Sequence, residues 1–286
     1  MTFTNNYDAF VPEIWGGKLN AGLEKNCVML QCVNRNWEGD IASQGDTVKI
    51  ITPGDVTISS LDSSVSYSEI APTSASLVID QKKVFAFKIN DVALAQANTD
   101  IMEGYLNKAK QAIEVEQDVY LLGKHVDVAS GNTLGGTTAI SLTASNIYSQ
   151  FVHKINLYYL NMRIPITDGK KPWVVINPDI EALLLQSSQF TSSYQIADET
   201  LRNGSIGRIA GMDVLVTPNL TATDSKINVL AGTNDAITYA SQLAKIEVLR
   251  DPDSFSDLVR GLYLYGAKTV NAGALAKMVC SISTSS

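Results

Sequence analysis

Apolar residues recur through DIMEGYLNKAKQAIEVEQDVYLLG (100–123) at spacings of four, three, three, four and three: Tyr105, Ala109, Ala112, Val115, Val119 and Leu122. Steps of three and four place side chains on one face of a helix, so the segment is predicted to be one long helix packed through that stripe. Asn98-Thr99-Asp100 offers its cap, and Glu103 puts negative charge at the positive end of the helix dipole. Gly123 is a natural stop, followed by Lys124 and His125. At 1.5 Å per residue, about 24 residues span roughly 35 Å. The two alanines let something approach the middle of the helix closely. The pattern does not run to enough heptads for a coiled coil.

Upstream the period changes to two. Thr47-Val48-Lys49-Ile50 alternates, Pro53-Gly54-Asp55 interrupts, and Val56 and Ile58 resume. A polar, serine-rich stretch (62–76) separates them from Leu77 and Ile79, then Phe85, Phe87 and Ile89. The pattern predicts a long hairpin with a serine-rich middle. Two strands alone are marginal and leave open edges, so this hairpin is expected to lie over another surface. Before it, residues 1–35 carry Phe10, Trp15, Leu19, Leu23, Met29 and Leu30 around Pro12 and Gly16-Gly17, with a short helix predicted from Lys18 to Lys25. So much apolar surface near a terminus implies docking.

Downstream of the helix, 126–145 is a Gly/Ser/Thr-rich connection. Thr143-Ala144-Ser145 can cap a helix from Asn146 to Met162, with Ile147, Phe151, Ile155 and Tyr158 on one face. PWVVINP (172–178) reads as a short buried strand, and Asp179 opens a helix that runs to Ser187. Met212–Thr217 and Ile227–Ala231 read as strands, and Ala236–Ala240 as a brief helical turn. Lys245–Arg250 and Val259–Val270 pair as antiparallel strands through Asp251-Pro252-Asp253. Mixing of this kind is an α+β pattern.

Composition narrows the picture. A chain of 286 residues that is 45% hydrophobic and 18% charged is a folded protein of one large domain or two ordinary ones. Its first twenty residues lack a basic start followed by an apolar core, and no apolar run approaches the roughly 18–20 residues that span a bilayer. A soluble protein that begins in a cytoplasm is expected, with no membrane partner. Cys27, Cys32 and Cys280 match neither a zinc ribbon nor a disulfide framework; the first two, in CVMLQCV, read as small buried hydrophobes.

The net charge is −7, and −6 of it lies between Asn36 and Asp80, where Glu38, Asp40, Asp46, Asp55, Asp62, Glu69 and Asp80 oppose Lys49 alone. No basic arm gathers nucleic acid by charge neutralisation.

Candidate chemistry is thin. NGSIGRIAG (203–211) lacks the Lys-Ser/Thr of a phosphate loop and reads as a turn into a strand. His125 and His153 are the only histidines and have no ligand partners at metal spacing. There is no GxSxG, and Asp251-Pro252-Asp253 is turn chemistry rather than a carboxylate pair. The acids at 38–62 have no aromatic cleft beside them. Neither a catalytic residue nor a cofactor or metal site is assigned.

Four segments, in this order, carry a resemblance: NRNWEGDIASQGDTVKI (34–50), KINDVALAQANTD (88–100), NGSIGRIAGMDVLVTPNL (203–220) and AGTNDAITYASQLAKIEVLRDPDSFSDLVRGLYLYGAKTV (231–270). The chain resembles the major capsid proteins of tailed double-stranded DNA phages, which share the Hong Kong 97 fold. The resemblance implies an α+β chain with an N-terminal arm (1–35), an extended β-hairpin loop (36–88), a peripheral domain (89–140) with its spine helix at 100–123, an axial domain (141–240), and closing peripheral strands with a C-terminal tail (241–286).

It also implies self-assembly into hexamers and pentamers of an icosahedral shell around DNA. Subunits would touch through Phe10, Trp15, Leu19, Arg35, Glu38, Asp46, Lys49, Asp55, Asp62 and Glu69. A scaffolding protein, a portal and a decoration protein are the further partners implied. DNA would be contacted weakly and without sequence specificity, in a virion assembled in a host cytoplasm. Some relatives begin with a helical scaffolding segment that a protease removes. Nothing like it precedes the arm, which suggests a separate scaffold or a mature chain. No Lys–Asn cross-link is assigned. The alternative is an encapsulin-like compartment around a cargo enzyme; an α+β enzyme would need a cleft with perturbed acids.

Overall fold

The computed structural model describes residues 27–36, 47–52, 73–90, 100–154, 172–187, 207–209, 211–223 and 226–283. The helix read from the three-and-four spacing is present as α1, Asp100–Leu122. It tightens into a 3-10 turn at Gly123–Asp127, where His125 Nδ1 lies 3.0 Å from the Leu122 carbonyl oxygen.

The face that α1 turns to the body differs from the stripe read in the sequence. Its buried positions are Ile113, Glu114, Gln117, Asp118, Leu121 and Leu122. Tyr105, Val115 and Val119 remain about half exposed, Ala112 is exposed, Ala109 is intermediate, and of the stripe only Leu122 is buried. The reason is chemical. Gln117 Nε2 and Asp118 Oδ1 find hydrogen-bond partners in the body, so a face that looks polar along the chain can be covered, with Gln117 Oε1 left unpaired.

Ahead of α1, strand β1 (Thr47–Thr52) pairs antiparallel with β2 (Thr73–Val78), Thr47 opposite Val78 and Thr52 opposite Thr73. This is the predicted hairpin, but its return strand is not continuous. After Ile79-Asp80 the chain enters β3 (Gln81–Asn90), which joins a different sheet.

After α1 come β4 (Thr133–Leu134), β5 (Ile140–Leu142) and a π-helical turn at Tyr148–His153. The helix predicted from Asn146 thus begins at Ile147 and widens into this π-helical turn; Ile147 and Phe151 are buried as that reading requires, while Ile155 and Tyr158 lie outside the described residues. Next are β6 (Pro172–Ile176), buried at every position, and α2 (Pro178–Gln186). Asn177 caps α2 by accepting the Ile180 N–H, with Pro178 opening its first turn.

The last third is strand: β7 (Arg208–Ile209), β8 (Met212–Val216), β9 (Ala222–Thr223), β10 (Lys226–Thr233), β11 (Ile237–Arg250), β12 (Ser256–Thr269) and β13 (Leu275–Ile282). Ala236–Ala240 is thus not a helical turn. Ala236 closes a turn onto the Thr233 carbonyl and β11 follows at once. Every residue from 236 to 240 is buried, so no alternation marks that part of the strand.

An eight-stranded sheet runs β4-β13-β10-β6-β8-β7, with β5 also on β13 and β9 on β10. A three-stranded sheet runs β11-β12-β3, with Leu262 opposite Val84 and Arg260 opposite Ala86. One core joins α1, the turn at Met29–Gln31 and both sheets; a second lies between α2, the π-helical turn and the eight-stranded sheet. The third, of Ile50, Leu77, Ile79, Ala240 and Leu264, seats the hairpin on the three-stranded sheet.

Candidate assembly surfaces

Beneath α1 lies a buried polar network. Gln117 Nε2 donates to the Tyr239 hydroxyl at 2.8 Å and to the Tyr263 hydroxyl at 2.6 Å. Asp118 Oδ1 accepts the Cys27 thiol at 2.9 Å and the Met29 backbone N–H at 3.0 Å. Next along the chain, Asn34 is woven into β11: its N–H reaches the Ile237 carbonyl and its own carbonyl accepts from Tyr239 N–H, each at 2.9 Å. The chain entering from the N-terminal side is therefore fixed to the helix and to a sheet strand.

The opposite face of α1 is the one left open. Beside it, Phe85 stacks on Phe87 and Phe87 on Tyr105, with centroids 6.4 and 5.8 Å apart. A groove of about 250 Å³ follows this line between β3 and α1, floored by Phe85, Ala109, Ala112 and Ile113. Lys83 and Glu116, paired at 2.6 Å, also line it. On the far face of the three-stranded sheet, Val84, Leu262 and Gly261 line a second hollow of about 330 Å³ bordered by Lys82, Glu247 and Arg260. Arg260 Nε donates to Glu247 at 2.6 Å, while Lys82 is exposed.

Of the contact residues assigned from the sequence, Phe10, Trp15, Leu19, Glu38, Asp46, Asp55, Asp62 and Glu69 lie outside the described residues. Arg35 is half-buried, one residue past the Asn34 bridge, and Lys49 is exposed on β1 opposite Ser76.

Among the described residues no cluster of His, Cys, Asp and Glu could hold a metal ion. The carboxyls of Asp251, held low by Lys88, and of Glu181, raised by burial, line neither the two hollows above nor a third of about 360 Å³ beside Trp173 and Asp213. Cys27, Cys32 and Cys280 are free and buried, and burial pushes their thiols far up. NGSIGRIAG ends in a tight hairpin: Gly207 and Gly211 have φ of 63° and 84°, and Ile209 pairs with Met212.

What the sequence concealed is the polar anchoring, Gln117 and Asp118 above all. Its one local signal was a second series at steps of four, Ile113, Gln117 and Leu121, running beside the apolar stripe.

No known family model and no curated protein matches the chain. Solved structures do, and they define its class: this mixed helix-and-sheet fold is the fold of phage capsid proteins. A structure from Mycobacterium phage Che8 aligns with a TM-score of 0.70 and 26% identity, over 86% of this chain and 88% of that one. The capsid of cyanophage P-SCSP1u aligns at 0.62 and 15% identity, over 88% and 86%. A virus-like particle from Pyrococcus furiosus aligns at 0.54 and 12% identity, over 94% and 99%.

Proposed function

We propose that the chain is the major capsid protein of a tailed double-stranded DNA phage, a Hong Kong 97-type subunit that assembles with copies of itself into hexamers and pentamers of a closed shell. The observation that carries this reading is the likeness to capsids of several phages over 84 to 88% of the chain. In this reading residues 1–35 are the arm and 36–88 the extended loop; 89–140 and 241–286 form the peripheral domain and 141–240 the axial domain. In that division α1 and β12 both fall in the peripheral domain and share one core through Ile113, Leu121, Tyr263 and Tyr265, while Phe85, in the extended loop, packs against the same core.

A closed shell needs complementary, non-identical patches that meet around rotation axes. The arm and hairpin supply reach, and a strand laid on a neighbour covers edges that would otherwise aggregate. Stable contacts of this kind bury well over about 1,000 Å². The half-exposed stripe of Tyr105, Val115 and Val119 supplies apolar area, and the acidic loop supplies charge to meet basic side chains of the adjacent subunit. A net charge of −7 fits a container into which DNA is driven rather than one that gathers it, so the DNA contact is weak and without sequence specificity. Scaffolding, portal and decoration proteins are the expected partners, and the virion the location.

A second reading, an encapsulin-like compartment with a cargo enzyme, draws on the near-complete mutual coverage with the Pyrococcus furiosus particle, 94% and 99%. Electron microscopy of the purified protein, alone and with the products of neighbouring genes, tests both. Closed particles or hexamer sheets support a shell subunit. Nucleic acid inside native particles favours the phage reading, and a protein cargo favours the compartment. A monodisperse monomer under every condition, with a scaffold supplied, overturns both.

A further inference from the structure

Among the described residues, the hairpin of β1 and β2 is seated on the body of the protein through Ile50, Leu77 and Ile79. The strand leaving it, β2, belongs to one sheet and β3 to another, so the chain passes from one sheet to the other at Ile79-Asp80. Three features converge there. Leu77 and Ile79 are buried against Ala240 and Leu264. At Gly266 on β12, a Cβ would collide with the Val78 carbonyl oxygen and sit 3.0 Å from the Ile79 Cα, so only a glycine lets the hairpin seat this closely. Beside that seat, the Tyr120 hydroxyl on α1 donates to Asp80 Oδ1 at 3.0 Å while accepting the Ala267 N–H at 3.3 Å.

Tyr120 is itself held. Its ring meets Tyr265 edge-on with centroids 5.2 Å apart, and Lys124 Nζ lies 4.8 Å from its centroid. Burial raises its hydroxyl to about 12, so it stays a hydrogen-bond donor through the neutral range. Asp80, by contrast, is exposed at the surface. A donor held on the helix thus grips the Asp80 side chain at that junction.

We infer that the Tyr120–Asp80 hydrogen bond is a latch that sets the angle between the hairpin and the body, with Gly266 as its seat and Ile79-Asp80 as its pivot. With the bond made, the hairpin points in one direction; with it broken, the apolar cluster still holds the root but the hairpin swings. The inference concerns the single chain and stands apart from the shell reading. In a shell, the same latch would set the direction in which each subunit reaches its neighbour.

Spin labels on Ser76→Cys in β2 and Lys108→Cys in α1, both exposed positions, report that angle as a distance by pulsed electron resonance. The three native thiols are buried and stay unlabelled. Labelled chain is diluted into unlabelled chain so that only distances within one subunit are read. One narrow distance is expected for the parent and for Asp80→Asn, which keeps the accepting oxygen. Tyr120→Phe and Asp80→Ala are expected to lose the single narrow peak, and Gly266→Ala to shift it. Should Gly266→Ala not fold, Tyr120→Phe decides, because it keeps the ring in place. A Tyr120→Phe distribution identical to the parent's overturns the latch, whether or not the protein forms particles.

Discussion

The Cys27 thiol donates to Asp118 at 2.9 Å across 91 residues of sequence, tying the turn at Met29–Gln31 to the middle of α1. Asp118 is only 4% exposed, and Met29 N–H reaches the same carboxyl oxygen. A buried carboxylate is tolerated where donors meet it. Burial first and the Asp118 charge second push the Cys27 thiol up, so it donates and does not ionise. Asp118→Ala removes the acceptor and strands the Met29 N–H. An unpaired buried donor costs about 1–3 kcal/mol, so urea denaturation of the unassembled subunit is expected to show a loss of that order. Asp118→Asn keeps an oxygen in place and is expected to lose less. An unchanged midpoint for Asp118→Ala would mean that the tie adds nothing to stability.

Between β11 and β12, Asp251 receives Lys88 Nζ, the Ser254 hydroxyl at 2.7 Å and the Asp253 N–H at 3.1 Å. Lys88 is the chief cause of a carboxyl pKa held well below its ordinary 3.8. A carboxyl with a depressed folded pKa contributes stability above its unfolded value and loses it as the pH falls below that value. The contribution is therefore complete above about pH 4 and declines at lower pH. Lys88→Met is expected to flatten that part of the stability–pH curve. The difference is small because surface pairs are screened, so low salt is the condition in which to measure it. Parallel acid limbs in the two proteins would rule Lys88 out as the cause.

The acidic loop makes a separate test of the shell reading. Reversing two of Asp46, Asp55 and Asp62 to lysine removes two negative charges and adds two positive ones, taking a segment of net −6 to −2. Like charge across an interface slows encounter and weakens docking. Particle yield is expected to fall sharply while circular dichroism of the subunit stays unchanged. Normal shells from the reversed chain would remove the acids from the contact.

How much of this was legible follows from how local each signal was. The existence of α1 was legible, because steps of three and four are a local pattern. Its buried face was not, because Gln117 and Asp118 depend on partners 146 and 89 residues away. Likewise β1 and β2 were visible as alternation, but after the polar run Asp80–Lys83 the apolar positions return in the same phase at Phe85 and Phe87. Nothing local says that β3 pairs with β12 rather than extending the hairpin. Buried on both faces, Ala236–Ala240 offered no period at all. The order of segments carried the fold resemblance, which the capsid structures bear out, although no single segment is a chemical motif.

The stripe on α1 is where the sequence and the single chain part most usefully. Tyr105, Val115 and Val119 are 47, 46 and 47% exposed, with Ala112 exposed between them, so the helix presents an apolar line that its own body does not cover. Val115→Gln with Val119→Gln replaces two of these by good helix formers. Substitution at half-exposed positions away from buried partners usually changes stability by about 0.5 kcal/mol or less, so the subunit is expected to fold as before. If a neighbouring copy covers the stripe, the same change places two amides in an apolar contact without partners, and that desolvation opposes assembly. Sedimentation of the double variant is expected to show subunits or small oligomers under conditions where the parent forms particles. Gln111→Glu, exposed on the same helix, is the control expected to assemble. Particles formed equally well by the double variant would place the stripe outside every subunit contact, and the assembly surface would then have to be sought on the outer face of the three-stranded sheet, around Val84 and Leu262.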